Sequence, residues 1–302
     1  MDAVLIAAGA LIVATVGWDI ALTLLHPAAR GPLGDRANRW AWRLVRAVSR
    51  SRRVLSYAGP LAIAANMLLW VLGLWLGFAL VYASGMDLGE ALYKSGESLT
   101  TVGFGDVAFD PEWLRYVAVF EAAGGLGAFT AAIAYVLSVY PLVTEIRASA
   151  LFASLYADAG DTSQVAVLTQ RLIESHEHVK RFPVLYYFES GDEAESMTTL
   201  LKAAVATCVA LRESGEGARG VPLERALLRL FDDLERDYIG GGRAGHADAE
   251  SPDVPDADER AQFLARAESV IDAFAREHRQ EPGPINPPTD RSRSQDPRRS
   301  TS

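Results

Sequence analysis

Three apolar stretches, each long enough to cross a lipid bilayer, constrain this chain more than any other feature of its sequence. They run from residue 3 to 25, from 60 to 84 and from 113 to 140. A transmembrane helix needs roughly 20 such residues to span the hydrocarbon core. The first stretch has only Asp2 as an early charge and is longer than the apolar part of a signal peptide. We therefore interpret all three stretches as transmembrane helices.

A short segment between the second and third stretches has an unusual composition for a membrane protein interior. Residues 101–106 read Thr-Val-Gly-Phe-Gly-Asp. Two glycines separated by one residue disfavour both helix and strand, because glycine loses the most conformational freedom on ordering. Glycine does give access to positive φ, which lets successive backbone carbonyls point to the same side. Four such segments around an axis would form rings of oxygens that can replace the water shell of a cation.

The run from Thr100 to Asp106 resembles the selectivity filter of potassium channels, with Phe104 where many members have tyrosine. The similarity covers roughly residues 60–140. It implies an all-α membrane protein in which each chain supplies one pore loop, so that a complete ring requires a homotetramer. Potassium would be the permeant ion, and neither a cofactor nor another metal is expected. The implied potassium-channel pore domain, residues 59–141, comprises an outer helix (60–84), a pore helix (88–100), the filter (101–106) and an inner helix (113–140), preceded by the extra transmembrane helix 1–25.

The similarity also assigns roles to individual residues. In that family the ions bind backbone carbonyls and one threonine hydroxyl, which here is the hydroxyl of Thr101. Gly103 and Gly105 would provide the unusual dihedral angles, and Asp106 would lie at the outer mouth. The ion-binding residues implied in this way are Thr101, Val102, Gly103, Phe104 and Gly105, and the implied supports of the filter are Tyr93, Glu97, Thr100 and Asp106.

Two of these supports belong to the pore helix. Glu97 precedes Asp106 by nine positions. Some bacterial potassium channels pair a glutamate at this position with the aspartate through a shared proton or a water. Tyr93, one turn before Glu97, would donate its hydroxyl to Asp106. Related channels often have tryptophans near positions 93 and 94, so Tyr93 and Lys94 depart from the family pattern. A solvated charge is the alternative interpretation of Glu97.

Small residues in the third stretch allow two interpretations. Gly124, Gly125 and Gly127 cluster near its middle. Related channels often have a hinge glycine at a position matching Gly125, where the inner helix bends to open. Small residues also permit close helix packing, which is the competing account.

Two acidic residues lie within the apolar stretches, where a carboxylate is costly. Asp19 requires a partner or a water-lined site, or else lies near the cytoplasmic interface. Glu121 either faces the central cavity, where it would favour cations, or bonds the pore helix from behind. The second arrangement is the one we expect.

A basic segment, residues 26–58, separates the first two stretches. Six arginines alternate at spacings of three and four, so they share one helical face opposite an apolar face. This pattern is typical of an amphipathic helix in the headgroup region, where anionic lipids are expected partners. A voltage sensor is the alternative, but only one apolar stretch precedes the segment. The arginines are Arg36, Arg39, Arg43, Arg46, Arg50 and Arg53; the apolar residues are Ala41, Leu44, Val45 and Val48, with Trp40 and Trp42 at the borders.

The basic segment also predicts the orientation of the chain. Short arginine-rich loops stay on the cytoplasmic side of a membrane. The second stretch would then run outward, the filter would lie near the outer surface, and the third stretch would return. We therefore expect a multi-pass protein of the cell membrane with an extracellular N-terminus and a cytoplasmic C-terminus.

The remainder of the chain is charged and reads as a soluble helical region. It lacks the alternating strands and glycine-rich loop of nucleotide-binding regulatory domains, so we expect a role in assembly or in gating by an unidentified cytoplasmic ligand or protein. The prediction is a helical domain (142–240) with segments at 144–156, 163–180, 192–213 and 222–238, a linker (241–257), a helix (258–279) and a disordered tail (280–302).

Charge and composition exclude several other functions. The formal charge of −9 lies mostly in the second part of the chain and gives a nucleic-acid partner little support. No combination of serine, histidine, cysteine or carboxylates indicates an enzyme. The sequence thus predicts a passive potassium-selective channel. The alternatives are a less selective cation channel, or a membrane sensor or scaffold with a non-conducting pore.

Overall fold

The computed structural model describes residues 2–25, 31–48, 55–106, 112–188, 190, 192–239, 257–278 and 280. Within these ranges the chain is helical and contains no strand, so it has the predicted all-α fold. The predicted tail beyond Gln280, the linker up to residue 256 and the arginines at positions 50, 52 and 53 lie outside the described residues. The helices are α1 (Asp2–Leu25), α2 (Pro32–Val48), α3 (Ala58–Tyr82), α4 (Leu88–Leu99), α5 (Trp113–Asp158), α6 (Val165–Arg181), α7 (Met197–Glu213), α8 (Gly217–Asp237) and α9 (Ala257–Glu277), with short 3₁₀ turns at Pro183–Tyr187 and Glu193–Glu195.

Three of the described helices are long and apolar enough to cross a membrane. They are Asp2–Thr23 within α1, α3 and α5. The amphipathic α2 is not among them, and its Arg36, Arg39 and Arg43 are exposed. This arrangement agrees with three transmembrane helices and an interfacial α2, and it does not fit a membrane-crossing voltage sensor.

The described chain divides into two compact units, the first of which holds the apolar helices. It comprises residues 1–141 together with Val179–Phe188. In this unit α3 is central, because it packs against α1, α2 and α4. Trp70 and Tyr82 of α3 are almost completely buried in the core. The predicted pore helix α4 is thereby fixed against a helix that is long and apolar enough to span the membrane.

The buried face of α2 differs from the predicted one. Trp42 and Val45 are buried, whereas Trp40 and Leu44 are exposed. Trp42 packs against Tyr187 with ring centroids 5.6 Å apart. The helical period alone allows several positions of α2 to be buried. Packing against Tyr187, on another element, determines that Trp42 is one of the buried residues.

That partner belongs to a segment whose location the sequence does not predict. The 3₁₀ turn Pro183–Tyr187 lies in the predicted C-terminal domain but packs with the first unit, against α2 and α3. Val184, Leu185, Tyr186 and Tyr187 are all buried there. The predicted domain 142–240 is therefore interrupted by a return of the chain to the membrane unit.

The inner helix α5 is longer than predicted. We expected it to end at Tyr140 before Pro141, but it continues to Asp158 and incorporates the predicted helix 144–156. A proline within a helix removes one backbone hydrogen bond and costs about 3 kcal/mol, which a long helix with good flanking residues can offset. The two compact units nevertheless divide between Pro141 and Leu142.

The second unit contains the described residues of 142–178 and those after 189. Helices α7, α8 and α9 pack on one another, and the apolar face of α9 is buried at Phe263, Val270, Ile271 and Phe274. Helix α8 begins at Gly217 and not at Pro222 as predicted, so this proline lies inside the helix and removes one of its backbone hydrogen bonds.

Candidate functional site

The backbone of the filter alternates in conformation. Gly103 and Gly105 have φ angles of 64° and 76°, as the sequence predicts, and Thr101 has a φ angle of 59°. A positive φ is uncommon for a residue with a side chain, so Thr101 is held in this conformation by its surroundings. A Cβ at either glycine would meet open space, so the φ angle alone requires glycine at these positions.

The filter is joined to the end of the pore helix by backbone hydrogen bonds. The Thr101 N–H donates to the Ser98 carbonyl at 3.0 Å, and the Val102 N–H donates to the Glu97 carbonyl at 3.1 Å. The Thr100 hydroxyl donates to the Gly96 carbonyl at 2.6 Å. The N–H groups at the start of the filter are thus satisfied by the helix, and Thr100 supports the connection.

The carbonyls of the filter have no such partners. No described residue donates a hydrogen bond to the carbonyls of residues 101–104, and the Thr101 hydroxyl likewise makes none within the described chain. Backbone carbonyls in folded proteins are nearly always paired. Val102 and Phe104 are 54% and 69% exposed, so this side of the loop is open in the single chain.

Glu97 holds the filter through a different contact from the one we predicted. Its Oε1 accepts a hydrogen bond from the Gly105 N–H at 2.9 Å, and its Oε2 accepts one from Lys94 Nζ at 2.9 Å. A buried lysine thus compensates the charge of Glu97, and the expected pair with Asp106 through a shared proton or a water stays a prediction. The Glu97 carboxylate is also not a solvated charge, since it is buried.

Asp106 has its own partner on the pore helix. The Tyr93 hydroxyl donates to Asp106 Oδ2 at 3.0 Å, which is the contact we expected from the sequence. Both residues are exposed in the single chain. Two separate contacts therefore tie the outer end of the filter to α4, one through Glu97 and one through Tyr93.

Glu121 lies behind the pore helix in a fully buried position. Its Oε2 accepts a hydrogen bond from the Tyr82 hydroxyl at 2.6 Å, and its Oε1 lies 2.5 Å from the Ser95 hydroxyl. The Ser95 hydroxyl is also 2.8 Å from the Trp75 carbonyl of α3. Glu121 thus connects three helices, which matches the second of its two predicted arrangements.

The two central glycines of α5 have different surroundings. A Cβ on Gly125 would lie 2.2 Å from the Leu99 carbonyl at the end of the pore helix, whereas a Cβ on Gly124 would meet nothing within 4 Å. The helix is continuous through both residues. Gly125 therefore permits close packing of α5 on α4, and its role as a gating hinge stays a prediction.

Asp19 lies away from the filter and is fully buried. Its carboxylate accepts hydrogen bonds from the Leu33 N–H at 2.8 Å and from Trp70 Nε1 at 2.9 Å. Leu33 belongs to the first turn of α2, whose N–H groups have no helical acceptor. Asp19 therefore attaches the start of α2 to the bundle of α1 and α3.

The region around the filter matches a known family. Residues 67–140 match a family model described as an ion channel. This range contains most of α3, the whole pore helix, the filter and α5 up to Tyr140. The match supports an ion-channel pore domain in this part of the chain.

The ion-channel match accounts for only part of the chain. The chain is 29% identical over 141 residues to the uncharacterized membrane protein YdjJ of Bacillus subtilis (strain 168), in an alignment that covers 42% of this chain and 41% of the relative. The match thus spans less than half of that relative's length. No solved structure matches the chain.

Some residues that shape the ion-channel domain were not identified from the sequence. Lys94 was noted only as a departure from the family pattern, although its spacing of three from Glu97 is that of a helical ion pair. Tyr82 and Ser95 carry no local signal, because their partner Glu121 is distant in the sequence.

Proposed function

We propose that four copies of this chain form a potassium-selective channel that conducts the ion passively across the cell membrane. The carbonyls of residues 101–104 and the Thr101 hydroxyl would bind the dehydrated ions, and Thr100, Asp106, Glu97 and Tyr93 would hold the filter. Conduction then follows the electrochemical gradient without a cofactor.

The observation that carries this proposal is the run of consecutive filter carbonyls that accept no hydrogen bond from the described residues. Positive φ angles at Thr101, Gly103 and Gly105 alternate with other conformations along this run. Carbonyl oxygens without a protein donor are the ligands with which potassium filters replace the hydration shell. The ion-channel match over residues 67–140 supports the same interpretation.

A homotetramer is the assembly that this geometry favours. Each chain contributes one loop, and that loop leaves Val102 and Phe104 largely exposed. Tyr116, Val119 and Phe120 of α5 are also exposed apolar residues. In a tetramer, the neighbouring copies and the lipid would cover these surfaces.

The proposed orientation places α2 at the cytoplasmic surface. Its exposed arginines would contact anionic lipid headgroups, each worth about 1 kcal/mol near the surface. The N-terminus would then be extracellular, and the second compact unit would be cytoplasmic, where a ligand or protein could regulate the pore.

Potassium flux through proteoliposomes tests the proposal. The parent protein should release loaded potassium under an imposed potential, and Gly103→Ala should abolish the flux, because alanine strongly disfavours a φ of 64°. Gly89→Ala is the matched control. Gly89 lies on the pore helix with open space at its Cβ position, so flux should be retained.

The expected result is flux in the parent and in Gly89→Ala and none in Gly103→Ala. Equal flux in all three proteins would contradict conduction through this loop. Absence of flux from well-folded parent protein would favour a membrane sensor or scaffold instead.

A further inference from the structure

An ion pair is buried directly behind the filter, and the cost of burying its two charges suggests a specific role. Lys94 and Glu97 are three residues apart on α4, with Nζ and Oε2 2.9 Å apart. Their side chains are only 8% and 1% exposed. Burying a lysine and a glutamate costs several kcal/mol for each ion unless good geometry and further hydrogen bonds compensate.

The second oxygen of Glu97 carries the contact to the filter. Its Oε1 accepts the Gly105 N–H at 2.9 Å, so both carboxylate oxygens are engaged. An ionised carboxylate is acceptor-only and can serve both donors at once. The lysine therefore favours the ionised form of Glu97, which accepts at both oxygens and binds the Gly105 N–H more strongly than a neutral carboxyl would.

The Gly105 N–H shares a peptide group with the Phe104 carbonyl. A trans peptide is planar, and its N–H and C=O point in opposite directions. When Glu97 holds the Gly105 N–H on the side of the pore helix, the Phe104 carbonyl is turned to the opposite side. That carbonyl is the outermost of the proposed ion ligands.

We propose that Lys94 is a positioning residue of the selectivity filter: by keeping Glu97 ionised and oriented, it fixes the Gly105 N–H and thereby the Phe104 carbonyl that faces the ions. This role rests on the proposed potassium conduction. The contact of Lys94 that carries this role is its ion pair with Glu97, and Glu97 in turn holds the Gly105 N–H.

Other ionisable groups near this pair have separate partners. Asp106 accepts from Tyr93, and it lies close enough to Glu97 to repel its charge. On the helices packed behind α4, Glu121 accepts from Tyr82. Removal of the lysine would thus leave Glu97 as a buried carboxylate beside a like charge, which favours its protonation.

Bilayer recordings of three variants test the role of Lys94. Lys94→Met keeps the length of the side chain and removes its charge, Lys94→Arg keeps the charge, and Glu90→Gln changes an exposed charge on the same helix. The readout is the rate at which potassium current declines during sustained opening, measured between about pH 5 and 8, where buried carboxylates of raised pKa titrate.

Lys94→Met should inactivate faster than the parent by a factor on the order of ten, the effect of losing one charge-assisted hydrogen bond. Its rate should also fall as pH rises, because the ionised form of Glu97 binds the Gly105 N–H more strongly than the protonated form. Lys94→Arg should inactivate at the rate of the parent because it keeps the charge, and Glu90→Gln should also show the parent rate. Any pH dependence that the parent also has belongs to the other groups and is subtracted.

A Lys94→Met channel with the rate and pH profile of the parent would overturn the role of Lys94 while leaving potassium conduction intact. Absence of current in the parent would instead overturn the proposed function. If Lys94→Met does not assemble, Glu97→Gln is the variant that tests the proposal. It should inactivate faster than the parent, and its rate should not depend on pH, because glutamine does not titrate. An unchanged rate in Glu97→Gln would overturn the proposal.

Discussion

At the scale of the residue, alanine variants of Gly124 and Gly125 distinguish a packing role of the inner-helix glycines from a bending role. Gly125→Ala would place a methyl group 2.2 Å from the Leu99 carbonyl, so we expect about 1–3 kcal/mol of destabilisation from overpacking. Gly124→Ala meets open space and should be neutral or stabilising by up to about 1 kcal/mol. Thermal unfolding of the purified protein in detergent measures both effects.

The same pair also tests the hinge hypothesis. A hinge at Gly125 requires its backbone freedom during opening, whereas packing requires only the absence of a side chain. Equal stability of the two alanine variants, with a lowered open probability in Gly125→Ala, would argue for the hinge and against packing.

Asp19 provides a second prediction at this scale. Asp19→Ala should destabilise the protein by about 1–3 kcal/mol for each N–H left unpaired, at Leu33 and Trp70. Asp87→Ala is the control, because this exposed aspartate lies at the N-cap of α4 without a side-chain hydrogen bond to the helix. Similar melting temperatures for the two variants would contradict the role of Asp19 at α2.

The sequence predicts the conformation and contacts of a residue when these depend on its neighbours in the chain. The φ angles of Gly103 and Gly105 follow from the loop itself, and the Tyr93–Asp106 contact was expected because Tyr93 lies one turn before Glu97 on α4. Asp87 and Glu90 have the spacing of a capping box, but the Asp87 side chain makes no cap hydrogen bond to the helix. The partners of Glu97 and Asp19 depend on which groups folding buries beside them, and a single sequence does not specify that.

At the scale of the element, helix existence was predictable and helix ends were less so. The pore helix was predicted at residues 88–100 and spans Leu88–Leu99. By contrast, α5 continues through Pro141, because the cost of one lost hydrogen bond is smaller than the gain of the residues on either side. The turn Pro183–Tyr187 carries no periodic pattern, so its packing against α2 was not foreseeable.

A contact between α6 and α8 gives a prediction about pH. Asp233 lies 2.8 Å from His176 Nε2 and also pairs with Arg236. Burial alone would raise the pKa of Asp233, but the hydrogen bonds from His176 and Arg236 outweigh it and hold that pKa below its ordinary value. A lowered pKa in the folded state stabilises the fold above the unfolded pKa of about 3.9.

This contribution is lost as pH falls through the folded pKa of Asp233. We expect Asp233→Asn to lower the melting temperature of the full chain by about 2–4 °C near neutral pH and to flatten its decline below about pH 4. The control is Asp158→Asn, which changes an exposed carboxylate at the end of α5. The same acid-side decline in parent and Asp233→Asn would contradict this account.

At the scale of the whole molecule, the sequence predicted two parts divided near residue 141, and the two compact units divide there. This division was predictable from the lengths of the apolar stretches in the first part of the chain and from the higher charge of the second part. The return of Val179–Phe188 to the first unit does not follow from either signal. The resemblance to an ion channel was identifiable because the residues that carry it lie in one short uninterrupted segment.

The central claim is that the ring of filter carbonyls selects potassium. It is tested most directly by the reversal potential of single channels in a planar bilayer with potassium on one side and sodium on the other. We expect a reversal potential close to the potassium equilibrium value and its loss, together with the current, in Gly103→Ala. A reversal potential near zero, which indicates equal permeation of sodium, would contradict selectivity and leave a non-selective cation channel as the better account.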